Sequence, residues 1–175
     1  AVMLASLDEL GYAVEWRSFS SADYGFPQRR KRAYILAHAP GTEGHSSLTG
    51  GTPPKDWLEA SGVLARAFPI KPLEAFFGLP SFSLRSKPGD DLADITQGFK
   101  AGKGGLSRFH GAGVMVGGTV WTTKVESDYE GPPQTLGDVL VNPGKVPDEF
   151  IVRSTDMLSD KGWVYLKGAK SEPRK

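Results

Sequence analysis

An α/β fold is what the first 38 residues predict, and three observations carry it. Val2, Met3, Leu7 and Leu10 recur at helical spacing, with Gly11 standing where a helix C-cap belongs. Tyr12, Val14 and Trp16 alternate with Ala13, Glu15 and Arg17, the period of a strand. Ala33 to Ala37 is an unbroken apolar run, which predicts a strand covered on both faces. Helix, strand, loop, strand is how an α/β domain ends, so residues 1–39 are expected to be the C-terminal piece of one.

Taken in order, residues 1–10 form the end of a helix and Tyr12 to Trp16 the first strand. Ser20 to Arg29 is a loop in which Pro27 pushes Phe26 toward an extended conformation. Arg32 to His38 is the second strand. Pro40 to Pro54, rich in Gly, Ser, Thr and Pro, reads as a linker. Asp56 to Phe68 has a loose amphipathic pattern that Ser61-Gly62 weakens, and Pro72 can open a short helix through Phe77. Residues 40–89 are therefore a linker or insert with short helices. Asp90 to Phe99 predicts a helix capped by Asp90 or Asp91, with Gly98 near its end. Val114 to Val116, Gly117-Gly118 and Thr119 to Trp121 form a hairpin, because a two-residue turn needs positive φ angles that glycine adopts freely. Gly131-Pro132-Pro133 breaks the chain again. Thr135-Leu136-Gly137-Asp138 opens a turn of helix, and Pro147 to Phe150 a second one. Trp163 to Leu166 is a compact apolar cluster, and Ser171 to Lys175 frays. Residues 90–175 thus make a smaller, irregular, partly β region.

The chain has 175 residues, 39% hydrophobic and 23% charged, enough to bury a core. The formal charge of +1 demands no polyanionic partner, so any such case rests on local clustering. Twenty-two glycines and 13 prolines predict many turns and short elements. No apolar run is long enough to cross a bilayer, and the opening lacks the order of a signal peptide. With no cysteine, this chain has no disulfide, thiolate metal site or cysteine nucleophile. His38, His45 and His110 show no pairing at metal-ligand spacing. Because Ala1 is not Met and the chain opens inside a helical pattern, a piece of a longer protein is expected.

The densest chemistry lies between Ala22 and Ala37. Gln28-Arg29-Arg30-Lys31-Arg32 sets four cations in a row against a strand. If they follow strand alternation, Gln28, Arg30 and Arg32 point one way and Arg29 and Lys31 the other. A guanidinium is a planar fork of donors suited to phosphate oxygens and base edges. A solvated basic turn is the plainer account of the same run.

At these residues a resemblance becomes specific. Gly11-Tyr12, Ala22-Asp23-Tyr24-Gly25, Pro27-Gln28, Arg30 and Arg32, followed by an apolar strand, resembles the QxRxR element of DNA (cytosine-5) methyltransferases. A second stretch looks similar to the start of the target-recognition region in bacterial and phage members. It comprises Ala112-Gly113-Val114-Met115, Gly118, Val120, Thr122, Val125-Glu126, Thr135 to Leu140 and Val146-Pro147, continued by Trp163 and Tyr165 to Lys170. The resemblance touches roughly half the chain, and Pro40 to Asp90 matches nothing in it.

The resemblance implies the end of a doubly wound, S-adenosylmethionine-dependent methyltransferase sheet, followed by a small α+β recognition region. It implies methyl transfer from S-adenosyl-L-methionine to C5 of a cytosine flipped out of double-stranded DNA, after a cysteine attacks C6. Arg32 would lie nearest the cytosine, with Arg30 as a second catalytic candidate and Gln28 supporting the loop or touching phosphate. Donors aimed at the O2 side of the ring would favour the electron-rich intermediate. Apart from the resemblance, Arg29 and Lys31 on the opposite face could meet solvent or phosphate, and Thr122, Thr123 and Lys124, just after the hairpin, could approach the major groove of DNA. The family's Pro-Cys nucleophile, glycine-rich cofactor loop and Glu-Asn-Val element have no counterpart here, so the chain should be inactive alone and hold no cofactor-binding residue. No metal and no membrane are implied. The full-length enzyme would be monomeric, cytoplasmic and of restriction–modification type.

Other clusters have plainer explanations beside functional ones. Asp90, Asp91 and Asp94 could be paired carboxylates or helix caps. Trp121, Trp163 and Tyr165 could stack bases or fill a core. Lys100, Lys103 and Arg108 around Gly102 to Gly105 could follow a phosphate backbone. A non-catalytic nucleic-acid-binding module is the alternative from another class, and a tRNA-cytosine methyltransferase is a close variant of the first reading.

Overall fold

A computed structural model describes residues 1–72, 79–100 and 108–151. Pro72 ends a strand, and the rest of the helix expected at Pro72 to Phe77, the Gly102 to Gly105 loop with Lys103, the Trp163 to Leu166 cluster with Tyr165, and the Ser171 to Lys175 tail lie outside the described residues. So do the stretches Trp163 and Tyr165 to Lys170 that continue the second resemblance. The chain divides into two compact units, residues 1–136 and 137–175.

In the first unit, α1 (Val2–Glu9) leads through Gly11, at φ +76°, into β1 (Ala13–Ser20). A 3₁₀ turn over Ser21–Tyr24 and a loop connect β1 to β2 (Lys31–His38). The two strands pair antiparallel over their whole length, from Ala13 opposite His38 to Ser20 opposite Lys31. β5 (Ala112–Val116) and β6 (Thr119–Thr123) form the expected hairpin. Gly117 and Gly118 turn it with φ of +53° and +71°, a conformation L side chains resist. β5 then pairs antiparallel with β1, so residues from both ends of the unit share one sheet. With β4 (Ser81–Ser83) on β6, the strand order is β2-β1-β5-β6-β4. β3 (Ile70–Pro72) and β7 (Val125–Ser127) make a separate two-stranded sheet.

One face of the large sheet carries Val14, Trp16, Met115 and Val120 against Leu4, Ala5, Leu84 and Ile95, the last from α5 (Leu92–Lys100). The other carries Ala13, Ala112 and Val114 against Leu48, Trp57, Leu58 and Ile70. β1 is therefore buried on both sides, and Glu15 and Arg17 are each only 1% exposed. On a half-buried strand their alternation with apolar residues would have put them in water. β2 departs from expectation in the opposite sense. Ala33, Tyr34 and Ile35 are exposed, not covered on both faces, because β2 is the edge of the sheet, although Tyr34 stacks on Phe19 and Phe68.

The stretch expected to be a linker contains α2 (Glu43–Thr49). Thr42 caps it, its hydroxyl accepting from the His45 amide, and Leu48 is buried beneath it. The helix anticipated over Asp56 to Phe68 is broken into α3 (Pro54–Asp56), a wide turn over Trp57–Ser61 and α4 (Val63–Ala67). Gly62, extended at ψ 156°, makes the break, as Ser61-Gly62 suggested. Asp91 caps α5 by accepting from the amides of Ala93 and Asp94 at 2.7 and 2.9 Å. Asp94 answers by accepting from the Asp91 amide, so these carboxylates form a capping box and not a catalytic pair.

α6 (Leu136–Val139) is the single helical turn expected after Thr135. In the second unit, 3₁₀ turns follow over Pro143–Lys145 and Asp148–Phe150, the latter just after Pro147.

Candidate nucleic-acid interface

The loop between β1 and β2 is built from its own short-range bonds. Ser20 accepts from the Ala22 amide while Asp23 accepts from the Ser20 amide at 2.7 Å, closing a capping box around the 3₁₀ turn. Gly25 ends that turn at φ +83°. The Gln28 carbonyl accepts from the Ala22 amide at 3.0 Å and the Ser20 hydroxyl at 3.2 Å, drawing the loop back onto its start. Ordered strand resumes at Lys31.

Gln28, Arg29, Arg30, Lys31 and Arg32 all come out exposed. Among the described residues no carboxylate forms an ion pair with any of the four cations. Arg32 makes one long bond, donating to the Lys31 carbonyl at 3.4 Å. Strand alternation governs only Lys31 and Arg32, since Arg29 and Arg30 precede β2 and take their directions from the loop. Arg32 sits opposite Phe19 and shares its face with Tyr34, which is exposed and stacked on Phe19 with ring centroids 4.7 Å apart.

Thr122 and Lys124 divide. Lys124 is exposed just past β6, whose end falls at the same end of the sheet as the start of β2. Thr122 is 2% exposed and its hydroxyl is used within the sheet, donating to the Ala112 carbonyl at 2.7 Å and accepting from the His110 amide at 3.0 Å. The structure therefore sets Thr122 apart from the exposed cations. Arg108 stands over the Phe99 ring at 5.9 Å. Trp121 packs beside the second core cluster.

Beneath the loop lies a polar layer that the motif does not announce. Arg17 donates to the carbonyls of Leu58, at 2.6 Å, and Phe68. Glu15 accepts from the Leu64 amide at 3.2 Å and lies 2.9 Å from the Nε2 of His38. Burial lowers the pKa of Arg17, which the neighbouring Tyr24 and Glu15 oppose. Burial likewise raises that of Tyr24, against the pull of Arg17. Tyr24 donates to the Pro69 carbonyl at 2.9 Å, inside an aromatic group of Phe19, Tyr34 and Phe68. Residues 57–70 thus act as a floor under β1 and the loop. A cleft of about 300 Å³ opens beside it, lined by Arg17, Tyr24 and Lys31 on one side and Ile70, Glu126 and Ser127 on the other. The only advance signal of this layer was the pair of charges at Glu15 and Arg17 in an otherwise apolar strand.

Among the described residues no group of His, Asp or Glu is placed to hold a metal ion, and no helix is long and apolar enough to cross a membrane. Exposed guanidinium forks and an exposed aromatic at the start of β2 and in the loop before it can take phosphate and stack a base.

Comparison with known proteins gives this edge a context. Residues 1–74, which include the whole loop, match the family model of C-5 cytosine-specific DNA methylase. Type II methyltransferase M.Sau3AI of Staphylococcus aureus is 32% identical over 174 residues, covering 99% of this chain and 38% of that protein. Type II methyltransferases M.NlaIV of Neisseria lactamica and M.NgoBV of Neisseria gonorrhoeae are 26% and 28% identical, each over 98% of this chain and 42% of theirs. The chain thus spans about two-fifths of the length of these relatives. No solved structure matches. The alignments run through the floor and the β5–β6 hairpin as well as the cationic loop, and the chain belongs to the C-5 cytosine-specific DNA methylase family.

Proposed function

We propose that this chain supplies one wall of the active site, and the beginning of the target-recognition region, of a DNA (cytosine-5-)-methyltransferase. The observation that carries the reading is the exposed Gln28 to Arg32 run, held by a bonded loop at the end of an ordered strand and lying within the family match. In this reading Arg32 and Arg30 meet the flipped cytosine and its backbone, and Gln28, Arg29, Lys31 and Lys124 contact the duplex. Fixed cationic donors at the O2 side of the ring stabilise negative charge as it develops there. Bound S-adenosyl-L-methionine supplies the methyl group, and no residue of this chain is assigned to holding it. The nucleophile also lies outside these residues, since the chain has no cysteine.

Residues 1–39 would then belong to the catalytic domain, 40–89 to the insert and 90–175 to recognition. The open edge of β2, with Tyr34 and Ile35 40% and 42% exposed, favours further strands of a doubly wound catalytic sheet lying against it. The match to the DNA methylase family favours DNA as substrate, and the type II relatives favour a restriction–modification setting, hence a cytoplasmic enzyme.

The test is methyl transfer to duplex DNA by the full-length enzyme. Arg32→Ala should lower the rate at least tenfold, a loss of about 1.4 kcal/mol of transition-state stabilisation, while the 175-residue chain alone transfers none. Unchanged turnover in Arg32→Ala would remove that residue from the site. Transfer by the isolated chain would refute the assignment of the nucleophile elsewhere. The same exposed cations favour a second reading, a non-catalytic DNA-binding module. It requires salt-sensitive binding by the isolated chain and no effect of Arg32→Ala on methylation in the full-length enzyme.

A further inference from the structure

Three segments distant in sequence meet at the cationic loop. Tyr129 lies over Gly25, where an added Cβ would come within 2.5 Å of the tyrosine ring, and the other side of the ring is against Gly131. The Gln134 amide donates to the Gly25 carbonyl at 2.7 Å. The Pro69 carbonyl accepts twice, from the Tyr24 hydroxyl of the loop and from the Asp128 amide, both at 2.9 Å. Lys71 pairs with Asp128 at 2.6 Å and approaches Glu130 at 3.8 Å, so it grips the chain on both sides of Tyr129. Residues 128–134 therefore form a strap across the loop, anchored through Pro69 and Lys71 to the floor segment.

We propose that Tyr129 is a positioning residue: its ring, wedged between Gly25 and Gly131, holds the Gly25 to Arg32 loop so that Arg30 and Arg32 are presented to DNA. The role rests on the reading of those arginines as the DNA-facing wall. The loop's own bonds gather at its start and stop at Gln28. Among the described residues no further bond holds the loop between Gln28 and the start of β2, and Phe26, Gln28, Arg29 and Arg30 are exposed. A segment of this kind opens at little free-energy cost unless something covers it. The strap covers it at the one glycine whose left-handed conformation sets the direction in which the loop leaves the 3₁₀ turn. Because the strap directly continues β7, in the stretch similar to a target-recognition region, a change there on binding DNA reaches the arginines through the Tyr129 ring and the Gln134–Gly25 bond.

The test uses the 175-residue chain with Tyr129→Ala and Tyr129→Phe. Amide exchange at residues 26–32 is read beside exchange in β1, β5 and β6, together with affinity for a short DNA duplex. Tyr129→Ala should speed loop exchange about tenfold and weaken binding roughly fivefold, with strand exchange unchanged, shifts of the size a local opening allows. Tyr129→Phe should restore both, because the ring and not the long 3.4 Å hydroxyl bond to the Pro132 carbonyl is what fills the gap. Unchanged loop exchange in Tyr129→Ala, or faster exchange throughout the sheet, would overturn the positioning role. Arg30→Ala and Arg32→Ala are measured in parallel. If they leave duplex affinity intact, the DNA-facing reading fails, and loop exchange still decides the role of Tyr129.

Discussion

Glu15 and His38 face each other across the β1–β2 ladder in the interior of the protein, Oε1 to Nε2 at 2.9 Å, with 1% and 8% of each residue exposed. The second oxygen of Glu15 accepts from the Leu64 amide at the start of α4. One side chain thus ties the hairpin to the floor. Glu15→Ala would strand two buried donors, at about 1–3 kcal/mol for each unsatisfied group, and should lower the unfolding free energy by about 3 kcal/mol. Glu15→Gln keeps an acceptor for one of them and should cost about half as much. Chemical denaturation of the two variants beside wild type measures this, and equal, negligible losses would show that the pair contributes nothing.

Much of this architecture is legible in the sequence where one local rule dominates. Gly11 and Gly117-Gly118 each mark a real boundary because glycine takes their positive φ cheaply, and Gly62 marks one because glycine sustains a helix poorly. A cap at Asp90 or Asp91 is legible because a short carboxylate can accept from the free amides of a helix's first turn, and Asp91 is the one that does. The QxRxR run is legible as a motif, and its exposure follows from its charge. What local pattern misses is tertiary. The period of β1 shows that residues alternate, and only the floor formed by residues 57–70 explains why Glu15 and Arg17 go inward. The run Ala33 to Ala37 is apolar enough for a covered strand, yet whether anything covers it depends on what packs there. Thr122 lies two residues from the exposed Lys124, yet it is buried, with its hydroxyl taken up by a carbonyl on β5. Tyr129 carries no motif, and its place over Gly25 follows from the β3–β7 pairing far from the loop.

Trp16 and Gly113 are opposite one another in the β1–β5 ladder, and the indole covers the glycine, with Nε1 donating to the His110 carbonyl at 3.1 Å. A methyl group at Gly113 would overlap the ring, which has backbone below it and Phe109 edge-on at 5.9 Å. Gly113→Ala should therefore cost about 1–3 kcal/mol, the usual range for overpacking, and should shift the near-ultraviolet signal or fluorescence of the protein. An unperturbed Trp16 environment in a stable variant would mean that the ring has room to move.

The Asp91 carboxylate is held below its usual 3.8 by the amides of Asp94 and Ala93, which donate to its ionised form. Since the folded value is the lower one, the cap contributes fully above the unfolded value and is lost as pH falls through the folded one. Asp91→Ala should accordingly lower the thermal midpoint at neutral pH, and the gap from wild type should close as pH drops below 3.8. Asp91→Asn, which caps without titrating, should keep its advantage over alanine at both ends. A gap between wild type and Asp91→Ala that persists at pH 2 would show that the ionised cap is not its source.

Gly25 separates two demands that usually come together. Its φ of +83° disfavours any L side chain, and the Tyr129 ring fills the space a Cβ would need. The first costs about 1–2 kcal/mol whatever surrounds the site, while the second depends on the ring alone. Gly25→Ala should therefore destabilise the protein by about 2–4 kcal/mol when the overlap is added. In a Tyr129→Ala background the same substitution should cost only the backbone part, about 1–2 kcal/mol. The two sites should then be coupled by more than 1 kcal/mol in a double-mutant cycle, as touching residues are. Denaturation midpoints of the four proteins give the coupling directly. Strict additivity would show that the loop and the strap do not bear on each other in solution, and the glycine would then be required for the turn alone.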